Sequence, residues 1–193
     1  MLITYQEELT RKCKEHGIQD LCSWVIKTQK DFAEWSGSGN PEHHHYGDHG
    51  LIRHTKEVFD YAVAIYNTHT QMSVVPINLK ELLVSVIWHD YGKIWDYQKV
   101  NGVWGKHNNH ARQIHHISKS AMEFEKFYCY YASESARQLV NPDNVIHNIL
   151  SHHGAREYGS PVAPATREAW ILHLADNLSA RLDDCDKHDI IKH

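Results

Sequence analysis

The chain has 193 residues, of which 41% are hydrophobic, so it fits one globular domain and is not a disordered chain. Its formal net charge of −4 argues against a broad basic track for long nucleic acid, because such binding depends largely on phosphate neutralisation. The N-terminal residues carry no apolar leader and no apolar run reaches the length of a membrane span, so we expect a cytoplasmic protein that does not enter a membrane.

The first half of the chain predicts helices interrupted by one long loop. Gly17 separates two segments that are typical of helices, and residues 36–50 are rich in Gly, Asn, Pro and His, which indicates a loop. Apolar residues at helical spacing follow this loop. We therefore expect four helices in this half, at residues 2–15, 18–34, 51–67 and 79–90.

The second half predicts further helices and one small hairpin. Asn101-Gly102 lies between two short β-prone pairs, which is a hairpin signal within residues 97–106. Asn141-Pro142 is typical of an N-cap followed by Pro at the first helical position, and Thr166 is a second N-cap. Helices are expected at residues 111–128, 141–151 and 166–184, with a loop over 154–165. The fold class is therefore all-α, a compact helical bundle with one short β-hairpin insertion.

Histidines and aspartates of four separate segments supply candidate metal ligands. The four cysteines form no C-x-x-C pair, which favours reduced thiols over a zinc finger or a disulfide framework. Imidazole and carboxylate donors without thiolate suit one or two divalent cations such as Mn, Fe, Co, Ni or Mg. The donors that carry this prediction are His54, His89-Asp90, His152-His153 and Asp176.

Local geometry constrains how these donors can meet. Neighbouring helical residues diverge by about 100°, so His89 and Asp90 can both reach one cation only at a helix end or beside a pocket. Asp176 lies on an apolar flank of its helix, where a carboxylate is costly to bury without a partner such as a metal. Lys93 lies one turn beyond His89, on the same face.

The order His54, His89-Asp90, Asp176 resembles the HD-domain metal-dependent phosphohydrolases. HDYGK is more specific than HD alone, because the family typically continues as HD-x-G-K. The resemblance is closest to the HD domain of bacterial 3′→5′ exoribonucleases. It rests on HHYGDHGLIRHT (44–55), HDYGKI (89–94), HISKSAMEF (116–124), LSHHGAREYGSP (150–161) and ATREAWILHLADNLSA (165–180). It implies a single HD domain over residues 1–193, with a motif core at 43–182 and N-terminal helices at 2–34 packed on it.

The resemblance also implies a ligand set for two metals. One metal would be held by His54, His89, Asp90 and Asp176, and Asp90 would bridge to a second metal held by His116, His152 and His153. Two cations can clamp a phosphate and activate a water molecule as the nucleophile. Lys93 and Asp90 are then the catalytic residues, with Lys93 binding a phosphate oxygen.

Further residues have two interpretations each. His44 and His45 could contact the substrate or orient other side chains, and an exposed flexible loop is the alternative. Arg156 is a candidate phosphate contact, with a simple surface charge as the alternative. His107 and His110 are expected to be solvated. Several aromatic residues near the motifs could stack a base but are more typical of core, namely Trp88, Tyr91, Trp95 and Trp104.

The sequence favours hydrolysis of a phosphoester in a nucleotide or short oligonucleotide. The exoribonucleases carry an N-terminal nucleic-acid-binding barrel, and the roughly 42 residues that precede the motifs here are too few for it, so long nucleic acid is not expected as a partner. The alternatives are a deoxynucleotide phosphohydrolase and, in another class, a metal- or nucleotide-binding sensor without turnover. The sequence is also compatible with a homo-oligomer.

Overall fold

The computed structural model describes residues 4–28, 30–106 and 109–190, and its architecture is the expected all-α bundle with one hairpin. A π-helical turn at Trp24–Thr28 and a 3₁₀ turn at Arg156–Tyr158 add to the α-helices. The strands are β1 (Tyr97–Val100) and β2 (Val103–Lys106). The helices are α1 (Tyr5–Glu15), α2 (Gln19–Ser23), α3 (Lys30–Glu34), α4 (Gly50–Met72), α5 (Leu79–Trp88), α6 (Lys93–Asp96), α7 (Asn109–Gln113), α8 (His116–Tyr130), α9 (Glu134–Arg137), α10 (Pro142–Ser151) and α11 (Arg167–Ile190).

The N-terminal segment forms shorter helices than its sequence pattern predicts. Thr4 caps α1 in a capping box, since its hydroxyl accepts from the Glu7 backbone N–H at 3.2 Å and the Glu7 carboxylate accepts from the Thr4 N–H at 2.9 Å. The expected start at residue 2 lies outside the described residues. The expected helix over 18–34 is wrong as one element, because it is divided into α2, the π-helical turn and α3.

The hydrophobic core is built around α4, α5 and α11. Leu51, Val58 and Phe59 of α4 are buried in one hydrophobic cluster with residues of α5 and α11, and Leu9 and Leu21 bring the N-terminal helices into the same cluster. Both long helices run beyond their expected ends, α4 to Met72 and α11 to Ile190. Among the helices of the described ranges, none combines the length and the apolar character that spanning a membrane requires.

The hairpin forms at the predicted turn. Asn101 and Gly102 both have positive φ, at 51° and 83°, as a two-residue type I′ turn requires. The Asp48 carboxylate accepts from Lys99 at 2.7 Å and from the Trp104 ring N–H at 2.6 Å. These contacts tie the hairpin to the loop that precedes α4.

The expected helix over 111–128 is interrupted. It is replaced by the short α7 and by α8, with Ile114 and His115 between them. His115 has φ 68° and ψ 147°, a backbone conformation that few residues other than glycine adopt. This break places His116 at the first position of α8, where its ring faces the interior.

The two predicted N-caps in the second half are confirmed. The Asn141 side chain accepts from the Asp143 N–H at 3.0 Å ahead of α10, with Pro142 at its first turn. The Thr166 hydroxyl accepts from the Ala169 N–H at 3.1 Å and begins α11. The intervening segment, expected to be loop throughout, contains the 3₁₀ turn at Arg156–Tyr158.

Candidate metal centre

The HD pair lies where α5 ends. His89 is the C-cap of α5 and Asp90 lies in the turn that leads to α6, so the pair lies at a helix end, as expected if both side chains are to reach one site. Lys93 is the first residue of α6 and points back to the same place. All three side chains are buried.

Gly92 allows the turn after Asp90 to touch the start of α8. A Cβ atom at position 92 would lie 2.2 Å from the backbone oxygen of His116, which no side chain can tolerate. The Gly92 N–H also donates to the Ser120 hydroxyl at 2.8 Å. This close approach of two backbones brings His116 next to Asp90.

The two carboxylate oxygens of Asp90 face two different pairs of histidines. Oδ2 lies 3.4 Å from Nε2 of both His54 and His89. Oδ1 lies 3.5 Å from Nε2 of His116 and 3.6 Å from Nε2 of His152. Asp90 therefore lies between two groups of nitrogen donors, an arrangement suited to a carboxylate that bridges two cations.

Asp176 and His153 complete the two groups. Asp176 Oδ1 lies 3.0 Å from Nε2 of His54 and 3.8 Å from Nε2 of His89. The ring of His153 lies with its centroid 4.5 Å from that of His152 and 5.3 Å from that of His116. The ligand atoms of the set His54, His89, Asp90 and Asp176, and those of the set His116, His152 and His153, each fall within 4.8 Å of one another.

The other ring nitrogen of each histidine is held by an acceptor. Nδ1 donates to a backbone oxygen in three of them, to Val86 from His89 and to Ile149 from His152 at 2.7 Å each, and to Tyr158 from His153 at 3.2 Å. A proton on Nδ1 leaves Nε2 with its lone pair, which is the form that binds metal. The backbone thus orients these rings before any ion arrives.

Asp96 holds His116, a contact that no motif predicts. Its Oδ2 accepts from the His116 backbone N–H at 2.9 Å and faces His116 Nδ1 at 3.3 Å. Its Oδ1 lies 3.0 Å from Nδ1 of His110. The expectation that His110 is solvated is wrong, because its side chain is only 16% exposed. His107 lies outside the described residues.

Ser179 and Glu57 hold His54 in the same way, and these contacts were also missed. Nδ1 of His54 lies 3.0 Å from the Ser179 hydroxyl, which itself donates to Glu57 Oε2 at 2.8 Å. Because the hydroxyl has one proton and gives it to Glu57, it accepts from His54. The pairs are 125 and 122 residues apart in sequence, so nothing in a single sequence joins them.

Buried polar atoms without partners show that a cation fits this centre. Among the described residues, Asp90 Oδ1 and the Nε2 atoms of His116 and His152 are buried and make no hydrogen bond. Leaving such atoms unpaired is costly, and one ion in contact with all three would satisfy them. The donors are carboxylate oxygen and imidazole nitrogen, which suit borderline divalent metals.

The charges around Asp90 keep it ionised. Burial acts to raise the pKa of Asp90, but Lys93 and the surrounding histidines hold it well below its usual range. Burial likewise acts to lower the pKa of Lys93, and Asp90 raises it. For Asp176, burial acts to raise the pKa, while the hydrogen bond from His54 lowers it. The centre thus holds two carboxylates and one ammonium, all charged.

A cavity of about 600 Å³ opens from the centre along α11. His44 lies in its wall, half-buried, and burial lowers the pKa of His44 to about 2, so its ring is neutral near pH 7. His45 is fully buried and contacts Glu57 instead. The walls of the cavity include His44, His153, Tyr158, Asp176, Asn177 and Arg181.

The remaining sequence candidates do not line the cavity. Arg156 is exposed in the 3₁₀ turn and does not line the cavity, whereas Arg181 of α11 does; a phosphate contact for Arg156 stays a prediction. Trp88 and Tyr91 are core residues, so base stacking on them is excluded. Trp104 is buried on the hairpin against Trp35.

Comparison with known proteins agrees with this geometry. The family model of the HD domain matches residues 51–181, more than half of the chain and the interval that contains every side chain facing Asp90. No solved structure matches the chain. The matched interval and the convergent His and Asp donors establish that the chain belongs to the HD domain family of metal-dependent phosphohydrolases.

Proposed function

We propose that the protein hydrolyses a phosphoester bond in nucleotides or short oligonucleotides, with one or two divalent cations at Asp90. The observation that carries this proposal is the placement of Asp90 between two sets of histidine Nε2 atoms and next to Lys93, in a centre whose Asp176 and His153 line a cavity. His54, His89, Asp90 and Asp176 would hold one cation. His116, His152 and His153, with Asp90, would hold the second.

Bound divalent cations would lower the pKa of a water molecule and polarise the phosphate ester. The chain's own contribution is to hold the ligands rigidly, since each Nδ1 anchor fixes a ring before substrate binds. Lys93 would contribute directly to substrate binding. Its ammonium forms an ion pair with Asp90 Oδ2 inside the centre, and as a compact positive charge it could bind a non-bridging phosphate oxygen.

The dimensions of the cavity favour a small substrate. About 600 Å³ lies within the range of roughly 300–1,000 Å³ that small-molecule sites occupy. Its wall beside Asp176 carries Asn177, Tyr158 and Arg181, which together offer an amide, a phenol and a guanidinium to a base, a sugar and a phosphate. These groups support a nucleotide-sized ligand.

The charge distribution also favours a short substrate. The net charge is −4, and Asp184 lines the same cavity as Arg181. Arg53, a possible source of positive charge near the centre, is bonded to Asp183 instead. The cations of the centre and Lys93 can hold one or two phosphates, but a long polyanion would need a basic track.

The test is turnover after reconstitution with metal. The metal-free protein would be supplied with Mn²⁺, Co²⁺, Ni²⁺ or Ca²⁺ and assayed on bis-p-nitrophenyl phosphate and on ribonucleotides of one to twenty residues. We expect Mn²⁺, Co²⁺ or Ni²⁺ to restore hydrolysis better than Ca²⁺, and kcat/KM to be highest for the shortest substrates.

Three results would contradict the proposal in different ways. Full activity in a sample shown by elemental analysis to be free of metal would exclude the metal mechanism. Tight metal binding without turnover on any phosphoester would favour a sensor protein. Efficiency that rises steadily with substrate length would favour an exoribonuclease that acts on long RNA.

A further inference from the structure

Two chains of hydrogen bonds meet at Glu57: the first runs through Ser179 to His54, and the second runs through His45 to His44, which lines the cavity. Oε2 of Glu57 accepts from the Ser179 hydroxyl at 2.8 Å and lies 2.8 Å from Nε2 of His45. Burial acts to raise the pKa of Glu57, but the contacts with His45 and Ser179 lower it, so the group is a carboxylate that can only accept. Both neighbours must therefore donate to it.

The first chain sets the proton of His54. Because Ser179 gives its only proton to Glu57, its oxygen accepts from Nδ1 of His54 at 3.0 Å. His54 thus carries a proton on Nδ1, and Nε2 is the atom directed at Asp176 and Asp90. Glu57, which lies outside the metal centre, therefore determines which ring nitrogen of His54 carries this proton.

The second chain sets the proton of His44. His45 donates from Nε2 to Glu57, and burial lowers the pKa of His45 to about 4, so the ring is neutral and its Nδ1 has a lone pair. Nδ1 of His44 lies 3.1 Å from that atom and must donate to it. The free nitrogen of His44 is then Nε2, with a lone pair, in a side chain that lines the cavity.

The backbone holds this second chain in place. The His45 N–H donates to Asp183 Oδ2 at 2.7 Å, and the side chain of His45 is fully buried. Nδ1 of His45 therefore faces His44 with little freedom to turn. The ring of His44 lies with its centroid 5.4 Å from that of His54, so the two chains of hydrogen bonds end at neighbouring imidazole rings.

We propose that Glu57 is a positioning residue that fixes the tautomers of His54 and His44, and that His44 consequently offers the cavity a nitrogen that can only accept a hydrogen bond. The partner of this nitrogen would be a hydroxyl or amino donor on the substrate. This last step rests on the proposed function, whereas the tautomers themselves do not. Among nucleotides, a ribose hydroxyl or an exocyclic amine supplies such a donor.

Imidazole tautomers can be read directly from long-range ¹H–¹⁵N correlation spectra of the full chain, without metal and after addition of Zn²⁺. We expect the proton on Nε2 in His45 and on Nδ1 in His44, both without metal and with Zn²⁺. In His54, whose Nε2 lies 3.0 Å from the Asp176 carboxylate, we expect protons on both nitrogens without metal and on Nδ1 alone with Zn²⁺. A His44→Gln variant assigns the His44 signal. Protonation of His44 on Nε2 in the wild-type protein would overturn the proposal, whether or not any substrate is turned over.

Three variants separate the two chains. Glu57→Gln keeps a carbonyl oxygen that can accept where Oε2 lies, so all three tautomers should persist. Glu57→Met has similar length but no strong acceptor, so His45 and His44 should become mixtures of tautomers. Ser179→Ala should disturb His54 alone. Unchanged spectra in a folded Glu57→Met protein would contradict the role of Glu57; if that variant does not fold, the Ser179→Ala and wild-type spectra still decide.

The role of the His44 nitrogen in binding is tested by two substrates that differ in donors. Bis-p-nitrophenyl phosphate has no hydroxyl or amino group, whereas a diribonucleotide has both. His44→Ala should reduce kcat/KM for the diribonucleotide about tenfold more than for the aryl diester, the size expected of one neutral hydrogen bond. Equal losses on the two substrates would show that His44 does not recognise a donor.

Discussion

The ammonium of Lys93 lies 2.6 Å from Oδ2 of Asp90, in a centre where both side chains are buried. A cation that binds His54 and His89 must approach this same oxygen, so metal and Lys93 share one carboxylate. Lys93 thus stabilises the metal-free protein, and under the proposed function its ammonium would become available for a phosphate when a metal binds.

Lys93→Met should therefore have opposite effects on stability and on metal binding. Removing one partner of a buried ion pair leaves the other charge uncompensated, at a cost of about 3 kcal/mol. The metal-free variant should be less stable by that amount, and Mn²⁺ should raise its Tm more than that of the wild type, while turnover falls. Lys119→Met, which breaks an i,i+4 pair with Glu123, is the control and should cost well under about 1 kcal/mol.

Asp90→Asn should remove metal more completely than any other single ligand change. Asp90 is the only residue of the described centre with oxygens facing both sets of histidines, so its loss weakens both. His116→Ala should spare the ion at His54, His89 and Asp176. Elemental analysis of the purified proteins measures this, and one ion per chain retained in Asp90→Asn would argue against a bridging carboxylate.

Asp96→Asn should lower the affinity for the second cation selectively. The Asp96 carboxylate holds His116 by its backbone and its ring, and loss of such a ligand-orienting partner typically costs about 10–100-fold in metal affinity. Calorimetric titration with Mn²⁺ should show a weakened second event and an unchanged first. Asp48→Asn, which breaks hairpin contacts only, should leave both events as in the wild type.

His115→Gly should stabilise the protein by about 1 kcal/mol, because a residue with a side chain is strained at φ 68° and ψ 147°. His115→Ala loses the same ring contact with His116 but keeps the backbone strain, so it should show no gain. Urea unfolding midpoints of the two variants give the comparison. Equal midpoints would mean that the backbone of residue 115 is unstrained.

The stability of the protein should depend on Asp183 in acid. Burial acts to raise the pKa of Asp183, but the His45 N–H, Arg53 and Lys187 lower it to about 2. A carboxyl whose pKa is depressed on folding contributes stability above its unfolded pKa of about 3.9, and this is lost as pH falls through about 2.

The stability advantage of the wild type over Asp183→Asn should consequently be constant above pH 5 and shrink between pH 4 and pH 2. Urea unfolding at several pH values measures it. Asp186→Asn changes an exposed carboxylate on the same helix and serves as the control. A wild-type advantage that stays constant down to pH 2 would show that Asp183 is not stabilised by these contacts.

The fold could be predicted where the sequence carries periodicity or a turn signal. Asn101-Gly102, Asn141-Pro142 and Thr166 all act as expected, because each effect is local. The short α6, α7 and α9 could not be foreseen, since four or five residues are too few to show a helical period. The π-helical turn at Trp24–Thr28 has no sequence signal, because residues 18–28 contain no Gly or Pro.

In the candidate centre, too, some residues could be predicted from the sequence and others could not. The residues that face Asp90 lie in short motifs: His54, His89 and His152 stand out as donor types that bind metal, whereas His116 and Lys93 were expected only from the resemblance to the HD family. The residues that orient them were missed. Asp96, Glu57 and Ser179 are ordinary polar residues in helices, and only the packing of distant segments brings them to a histidine ring.

Gly92 determines which parts of this protein are free to diverge. Since two peptide backbones meet there, the spacing between the two halves of the centre is not adjustable by exchanging side chains. Tyr158, Asn177 and Arg181 carry no such constraint, because they project into the cavity from a turn and from the outer face of α11. Substitutions at these three positions are therefore expected to change what the cavity accepts while leaving the spacing of the metal-ligating side chains as it is.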